Sequence, residues 1–444
     1  MKPRRANSTS AVWRKLRALV TSLTLIVIVA TGVRLGFAWD YTQQNSRQAL
    51  SVIPFTFEPG NIAASLARGQ GFSSPLRVPT GATAWMTPVY PLLLAGIFRY
   101  LGIYTFRSFV ATVLLNIFFT VLTCVPIYYA GERMAGAGLG AGAAWLWAIF
   151  PNAILLPFES MWDACLSALL AATILWTTLA LVESRRAPEW LAYGLLWGFT
   201  LMTNPTLVCL LPFLLAWLAY QEYREGRSWL AKPLLALGVA ILCCVPWTLR
   251  NYDAFHTFVP LRSTLGLQLW VGNNAQSNRE QTNLVHPLNN QNERAKYVAM
   301  GEIAYMHQKQ RQAIEFIQSH PRQSAALTAN RFIVFWTGGT PDPLKDFERI
   351  HSNWSRYVLI FDICAGIGAA LGIALLLGRR SMFAFPLAMF PLVFPCAYYL
   401  SVALPRYRLP IDPAVLLLAA TALSGTMSRG MFRAPRTNPV TSFP

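Results

Sequence analysis

The chain has 444 residues, of which 54% are hydrophobic and only 13% charged, whereas a soluble domain carries about 25% charged residues. Low charge together with repeated apolar runs excludes an ordinary soluble globule and reads as a polytopic membrane protein. The net charge of +18 sits mainly in short loops and tails, where membrane topology and anionic lipid account for it, and no nucleic-acid motif accompanies it.

The expected fold class is an all-α polytopic membrane protein of about ten transmembrane helices with two large outward-facing (periplasmic) loops. The N-terminal stretch MKPRRANSTSAVWRKLRALVTSLTLIVIVATGVRLGF has a basic flank and a long apolar core. A cleaved signal peptide has a core of only about 7–15 residues, so the stretch predicts an uncleaved first span at 16–38. The first outer loop, 39–106, carries FTFEPGNIAASLARGQGFSSP and then MTPVYPLLLAGIFRYLG, a short proline-punctuated helix suited to the interface. Spans follow at 107–130, 135–152, 160–182, 188–203, 205–221 and 231–248. Residues 1–248 thus form an N-terminal transmembrane catalytic module.

Residues 249–355 form a second outer loop with amphipathic helices. NERAKYVAMGEIAYMHQKQRQAIEFIQSHP predicts one helix, ended by Pro321, and ALTANRFIVFW predicts another. Spans at 356–378, 381–401 and 410–428 complete the C-terminal transmembrane helices, 356–428, and 429–444 is a cytoplasmic tail. Basic residues cluster at Arg4–Arg5, Arg133, Arg185–Arg186, Arg224 with Arg227, Arg379–Arg380 and Arg429 with Arg433. The positive-inside rule makes that side cytoplasmic. The expectation is an integral inner (plasma) membrane protein with both termini cytoplasmic and its active site periplasmic.

The seven cysteines lie in apolar stretches without a CxxC pair and read as small buried hydrophobes rather than metal ligands. His286 and His307 have no metal-ligand spacing. No metal site is expected from the residues.

Acids on the outer side are the first candidates for chemistry. Glu58 is the only acid between Asp40 and Glu132; it reads either as a helix-start acid favoured by the dipole or as a general base. Glu159 and Asp163, in PNAILLPFESMWDACLSALL, stand four residues apart where a span begins, which predicts one shared helical face. Basic groups break the sidedness rule on the same face: Arg250 in VPWTLRNYDAF, Arg262 in FVPLRSTLG, and Arg406 with Arg408 in YYLSVALPRYRLPIDP. Snorkelling explains such arginines in general, and a lipid phosphate explains them outside the cytoplasm. Trp270 and Asn273, in LQLWVGNN, are candidates for substrate contact or ordinary loop residues.

An ordered set of features now stands out: the first-loop acid, the Tyr90–Pro91 pair before an interfacial helix, Glu159 at a span start, and Pro246, Trp247, Arg250 and Asn251 in PW-x-x-RN. His320–Pro321, the Arg331 to Trp336 segment and RYRLPIDP complete it. In order and sidedness it resembles the GT-C glycosyltransferases, in the protein mannosyltransferase and aminoarabinose transferase group often called family 39. The resemblance covers nearly the whole chain. It implies a polyprenyl-phosphate sugar donor, a lipid, glycan or protein acceptor on the outer side, and inverting transfer among membrane lipids with no cofactor required. On that reading Glu58 is the base, Glu159 and Asp163 orient it or the acceptor, Arg250, Arg406 and Arg408 hold the donor phosphate, and Tyr90, Arg262, Trp270 and Asn273 contact substrate. Many members carry two adjacent acids where Phe57 and Glu58 stand here. That departure weakens a metal-binding or paired-acid mechanism, so a divalent metal stays an open question, and it leaves open a catalytically silent homologue. A transporter or flippase of lipid-linked sugars is the alternative from another class; it calls for polar or broken mid-membrane helices in related halves, and no internal repeat is found.

Overall fold

A computed structural model describes residues 19–159, 161–277, 284–338 and 353–425. Ser22 opens the first helix, α1 (Leu23–Gln44), by accepting the Leu25 amide on its hydroxyl. The first outer segment then holds α2 (Arg47–Val52), α3 (Glu58–Ala67) and α4 (Val89–Leu101). The bundle continues with α5 (Phe106–Leu122), α6 (Cys124–Ala135), α7 (Ala137–Ala148), α8 (Pro151–Glu159), α9 (Ala164–Leu181), α10 (Ala187–Leu201), α11 (Leu211–Arg224) and α12 (Ala231–Phe255). The second outer segment carries α13 (Leu265–Gly272), α14 (Gln291–Met300), α15 (Glu302–Ser319) and α16 (Pro321–Trp336). Four helices return to the bundle or its mouth: α17 (Asn353–Gly378), α18 (Ala384–Val393), α19 (Cys396–Leu400) and α20 (Asp412–Gly425). Among the described residues there is no strand, only an isolated antiparallel bridge between Ser73 and Ala82.

Six described helical stretches are long and apolar enough to cross a membrane, and the bent pair α7–α8 makes a seventh candidate. The predicted spans at 188–203, 381–401 and 410–428 fall on shorter helices: α10 has 15 residues, α18 and α19 have 10 and 5, and the described part of the last, α20, has 14. Helix α12 runs unbroken past residue 248, so the bundle reaches into the second outer segment there. The single helix expected over 292–321 is two, because Gly301 adopts φ +76° between α14 and α15; Pro321 then begins α16, where its missing N–H costs nothing. The 429–444 tail lies outside the described residues.

One device in the bundle bears on the site. Pro151 and Pro157 have no N–H to offer the carbonyls four residues back, Trp147 and Ala153, and the α7–α8 pair bends by 43°. Arg34, fully buried on α1, donates to both carbonyls, at 3.2 and 3.1 Å. The same guanidinium reaches Ala148 O at 3.0 Å, Ala30 O at 3.1 Å and Thr120 Oγ1 at 3.1 Å. It thus replaces the donors that two prolines removed, where no water is available to do so, and fixes the direction in which α8 delivers the chain to residues 161–163.

The segments holding α2–α4 and α13–α16 join into a cap over one end of the bundle. Glu302, buried at the start of α15, accepts from the Ala84 amide at 2.8 Å, Ser263 Oγ at 2.6 Å and Tyr297 OH at 2.7 Å, and also from Thr83 Oγ1. Arg250, near the end of α12, donates to Thr83 O at 2.6 Å and Phe72 O at 2.7 Å. The loop between α3 and α4 is therefore pinned from both sides.

Candidate active site

A cavity of about 390 Å3 lies where this cap meets the ends of the bundle helices. Its wall combines the start of α3, the loop before α4, the start of α9, the turn after α10, the start of α13, residues 286–289 and the stretch from α19 to α20. Of the residues expected to carry chemistry, Glu58, Asp163, Arg262 and Arg406 all line it.

Glu58 is the first residue of α3, and Pro59 follows it in the first turn, where the helix N-terminus favours an acid. Gly60 is required by its neighbour: a Cβ there would collide with the Phe55 carbonyl. The E-P-G sequence so presses the helix start against the preceding turn. Glu58 is buried, 3% exposed, yet opens onto the cavity. His286 Nε2 lies 3.4 Å from Glu58 Oε1. The Leu288 amide donates to the other ring nitrogen, Nδ1, at 3.2 Å. Trp85 meets the imidazole edge to face, with centroids 5.7 Å apart. Burial pushes the His286 pKa below its usual value, opposed by Glu58 and assisted by the positive charge of Arg406.

Asp163 begins α9 and accepts from Ser167 Oγ at 2.9 Å. Ser167 also accepts from Asn204 Nδ2 at 3.3 Å, which draws the turn after α10 into the same wall. Burial raises the Asp163 pKa against the Ser167 hydrogen bond and the charges of Arg262 and Arg406. Arg406 stacks over the Trp162 ring at 4.4 Å and the Tyr407 ring at 5.1 Å. Its Nε is buried with no acceptor among the described residues. Arg262 donates to Thr206 Oγ1 at 3.3 Å and is otherwise exposed at the rim. Two acids and two guanidinium groups thus share one chamber, whose aromatic walls come from Trp85, Trp162 and Tyr398.

The remaining expected residues stand elsewhere. Glu159 and Asp163 do not share a helical face: α8 ends at Glu159 and α9 begins after Asp163, so the four-residue spacing spans a break. Glu159 is exposed and off the cavity wall. Arg408 is buried, with Nε 2.7 Å from Asp412 Oδ1 and Nη1 3.3 Å from Asp362 Oδ1. Asn152 donates to the same Asp362 carboxylate, so Arg408 ties α8, α17 and α20 together. Arg250 is committed to the Thr83 and Phe72 carbonyls and sits over Trp247 at 5.0 Å. Tyr90 is fully buried, its hydroxyl 3.2 Å from Asn116 Oδ1. Asn273 bridges Leu400 O and Arg331, and Lys309 covers Trp270 at 5.3 Å. None of these six expected residues lines the cavity.

Among the described residues, no group of three or more His, Cys, Asp or Glu side chains is placed to hold a metal ion. In the Glu58–His286 pair, Nδ1 is filled by an amide and Nε2 is turned to the carboxylate, a poor donor set for a cation.

The helices and the chamber at their mouth define an integral membrane protein with a polar site suited to an anionic ligand. The model of the dolichyl-phosphate-mannose-protein mannosyltransferase family matches residues 86–249. The structure resembles the Archaeoglobus fulgidus oligosaccharyltransferase in complex with zinc and sulfate, with a TM-score of 0.55 and 15% identity, over 91% of this chain and 49% of that one. It resembles the same organism's oligosaccharyltransferase AglB in complex with an inhibitory peptide and a dolichol-phosphate, with a TM-score of 0.52 and 14% identity, over 91% and 50%. The chain therefore spans about half the length of these structures. No curated protein sequence matches it. The likeness to these oligosaccharyltransferases is one of fold.

Proposed function

We propose that the chain is a membrane glycosyltransferase that moves a sugar from a polyprenyl-phosphate donor to an acceptor at the outer face. The observation that carries this reading is the shared chamber, lined by a buried carboxylate, Glu58, and two arginines, one of which has a buried Nε with no acceptor among the described residues. The dolichol-phosphate held by the archaeal structure of the same fold supports a lipid-phosphate donor. The donor's tail lies in the bilayer and its phosphate between Arg406 and Arg262. Guanidinium groups suit a phosphate ester because their planar donors match its oxygens.

Glu58 takes the proton of the acceptor hydroxyl or amine as that nucleophile bonds to the anomeric carbon. The bond from that carbon to the phosphate oxygen breaks on the opposite side, and its electrons leave with the polyprenyl phosphate. One displacement inverts the anomeric configuration. Arg406 and Arg262 stabilise the charge that grows on the departing phosphate. Asp163, held by Ser167, orients the acceptor across the chamber. The bias of basic residues toward the other loops supports this end of the bundle facing outward, with both termini inside.

The test is to incubate the purified protein with several polyprenyl-phosphate sugars and candidate acceptors and to measure free polyprenyl phosphate. Release that requires an acceptor supports the proposal. Intact donors in every combination, with donor moved between leaflets of a vesicle instead, point to a flippase.

A further inference from the structure

His286 has no part in the transfer derived above, and its place in an asparagine-rich stretch marks it as a loop residue by sequence. In the structure it is the ionisable side chain within ion-pair distance of Glu58 among the described residues, brought from the loop before α14 against the start of α3. Its two ring nitrogens have different neighbours. The Leu288 amide is a donor and nothing else, so the Nδ1 it reaches at 3.2 Å must be an acceptor without a hydrogen. In the neutral ring the hydrogen then sits on Nε2, and Nε2 faces Glu58 Oε1 at 3.4 Å. The two atoms stand at ion-pair distance, and catalytic contacts of this kind commonly tighten into hydrogen bonds only when substrate binds. Trp85 packs against the ring edge to face, and Tyr297 packs on Trp85 in turn, 5.8 Å away. The imidazole therefore has little freedom to rotate.

This arrangement makes the histidine an unsuitable base. Nδ1 is occupied, and Nε2 already carries its hydrogen. We propose that His286 is a positioning residue for Glu58: its Nε2–H, directed by the amide that fills Nδ1, holds Oε1 so that Oε2 is the oxygen left to accept the acceptor's proton. The proposal rests on the transferase reading of the chamber. A carboxylate that can rotate about its last bond offers its lone pairs in many directions. One oxygen anchored by a donor leaves the other in a defined place, and a misplacement near 1 Å in such a group costs on the order of a hundredfold in rate.

Two isosteric variants separate this role from simple support of the loop. Asparagine reproduces Nδ1, accepting the Leu288 amide but leaving Glu58 without its donor. Glutamine reproduces Nε2 and donates to Glu58 without capping the loop. The expected result is that His286→Asn lowers kcat on the order of ten- to a hundredfold with the donor KM unchanged, while His286→Gln recovers most of that loss. Equal rates in both variants, or a better rate in the asparagine variant, overturn the proposal.

A second measurement does not depend on turnover. Nitrogen NMR of the 15N-histidine-labelled protein reads the tautomer directly, with His286 assigned by its loss in His286→Gln. Hydrogen on Nε2, with a signal that shifts in Glu58→Leu, is the expected result. Hydrogen on Nδ1, or an Nε2 signal indifferent to that substitution, overturns the proposal. A wild-type protein that transfers no sugar sinks the transferase reading alone, because the NMR result stands apart from it.

Discussion

Replacing Arg34 with leucine removes one guanidinium from the bundle interior and five acceptors lose their donor. Two of them, the carbonyls of Trp147 and Ala153, face prolines four residues ahead and have no α-helical N–H to fall back on. The Trp147 carbonyl keeps the Phe150 amide at 3.2 Å, and a buried carbonyl left without a partner costs about 1–3 kcal/mol, so the Ala153 carbonyl alone amounts to about 1–3 kcal/mol. Burying the leucine in place of the polar head offsets part of that. The expected outcome is a lower unfolding midpoint in detergent, followed by a thiol-reactive dye that reports exposure of the buried Cys124 and Cys165. The decisive comparison is in a Pro151→Ala/Pro157→Ala background, where backbone N–H groups return to serve the same carbonyls. There the cost of Arg34→Leu should shrink by about 1–3 kcal/mol, the range of coupling between groups in direct contact. An Arg34→Leu midpoint equal to wild type, or an equal loss in both backgrounds, refutes the view that this arginine substitutes for the proline amides.

The other expectations concern the chamber, pH and topology. Arg406→Ala weakens donor binding roughly 10- to 150-fold in a donor titration, the value of one charge-assisted contact. Arg408→Ala instead lowers the unfolding midpoint, because removing one partner of a buried pair costs about 3–5 kcal/mol and leaves Asp362 and Asp412 uncompensated; a reversal of these two phenotypes exchanges the roles of the arginines. His286 has a lowered folded pKa, so the unfolded chain takes up a proton first as pH falls. Its contribution to stability is full above the usual histidine value of about 6.5 and is lost as pH drops toward the folded value. His286→Gln should therefore flatten midpoint against pH below about 6.5, and an unchanged slope contradicts the burial of a neutral ring. Membrane-impermeant labelling of cysteines introduced into a cysteine-free background should reach position 290 and not 226; the reverse pattern inverts the membrane orientation.

Much of the fold was legible in the sequence because apolar runs and helix punctuation are local signals. The helix break at Pro321 and the acid at the start of α3 follow from residue type and spacing, whereas the predicted spans at 188–203, 381–401 and 410–428 fall on shorter helices. Four cavity residues, Glu58, Asp163, Arg262 and Arg406, were also legible, since charge at the mouth of an apolar helix has few uses. Spacing alone does not fix direction. Glu159 and Asp163 share a face only if one helix joins them, and Pro157 is a sign that it does not. Arg406 and Arg408 are two residues apart, a separation that points side chains to opposite sides of a helical turn, so one reaches the chamber and the other the buried acids. Arg250 and Tyr90 belong to motifs that hold the cap and the core together. His286 was not legible, because its meaning comes from a contact with Glu58 across two outer segments. Its one local signal was Leu288 two residues on, whose amide can turn back to Nδ1.

The central claim is that Glu58 removes the acceptor's proton while the arginines hold the donor. Glu58→Gln keeps the side chain's shape and removes its basicity. Single-turnover release of polyprenyl phosphate and donor binding should be measured on the same preparation of this variant. The expected result is a loss of about 10²–10⁴ in the rate of transfer with donor affinity unchanged. Near-normal transfer by the glutamine variant, with donor still bound, contradicts the account.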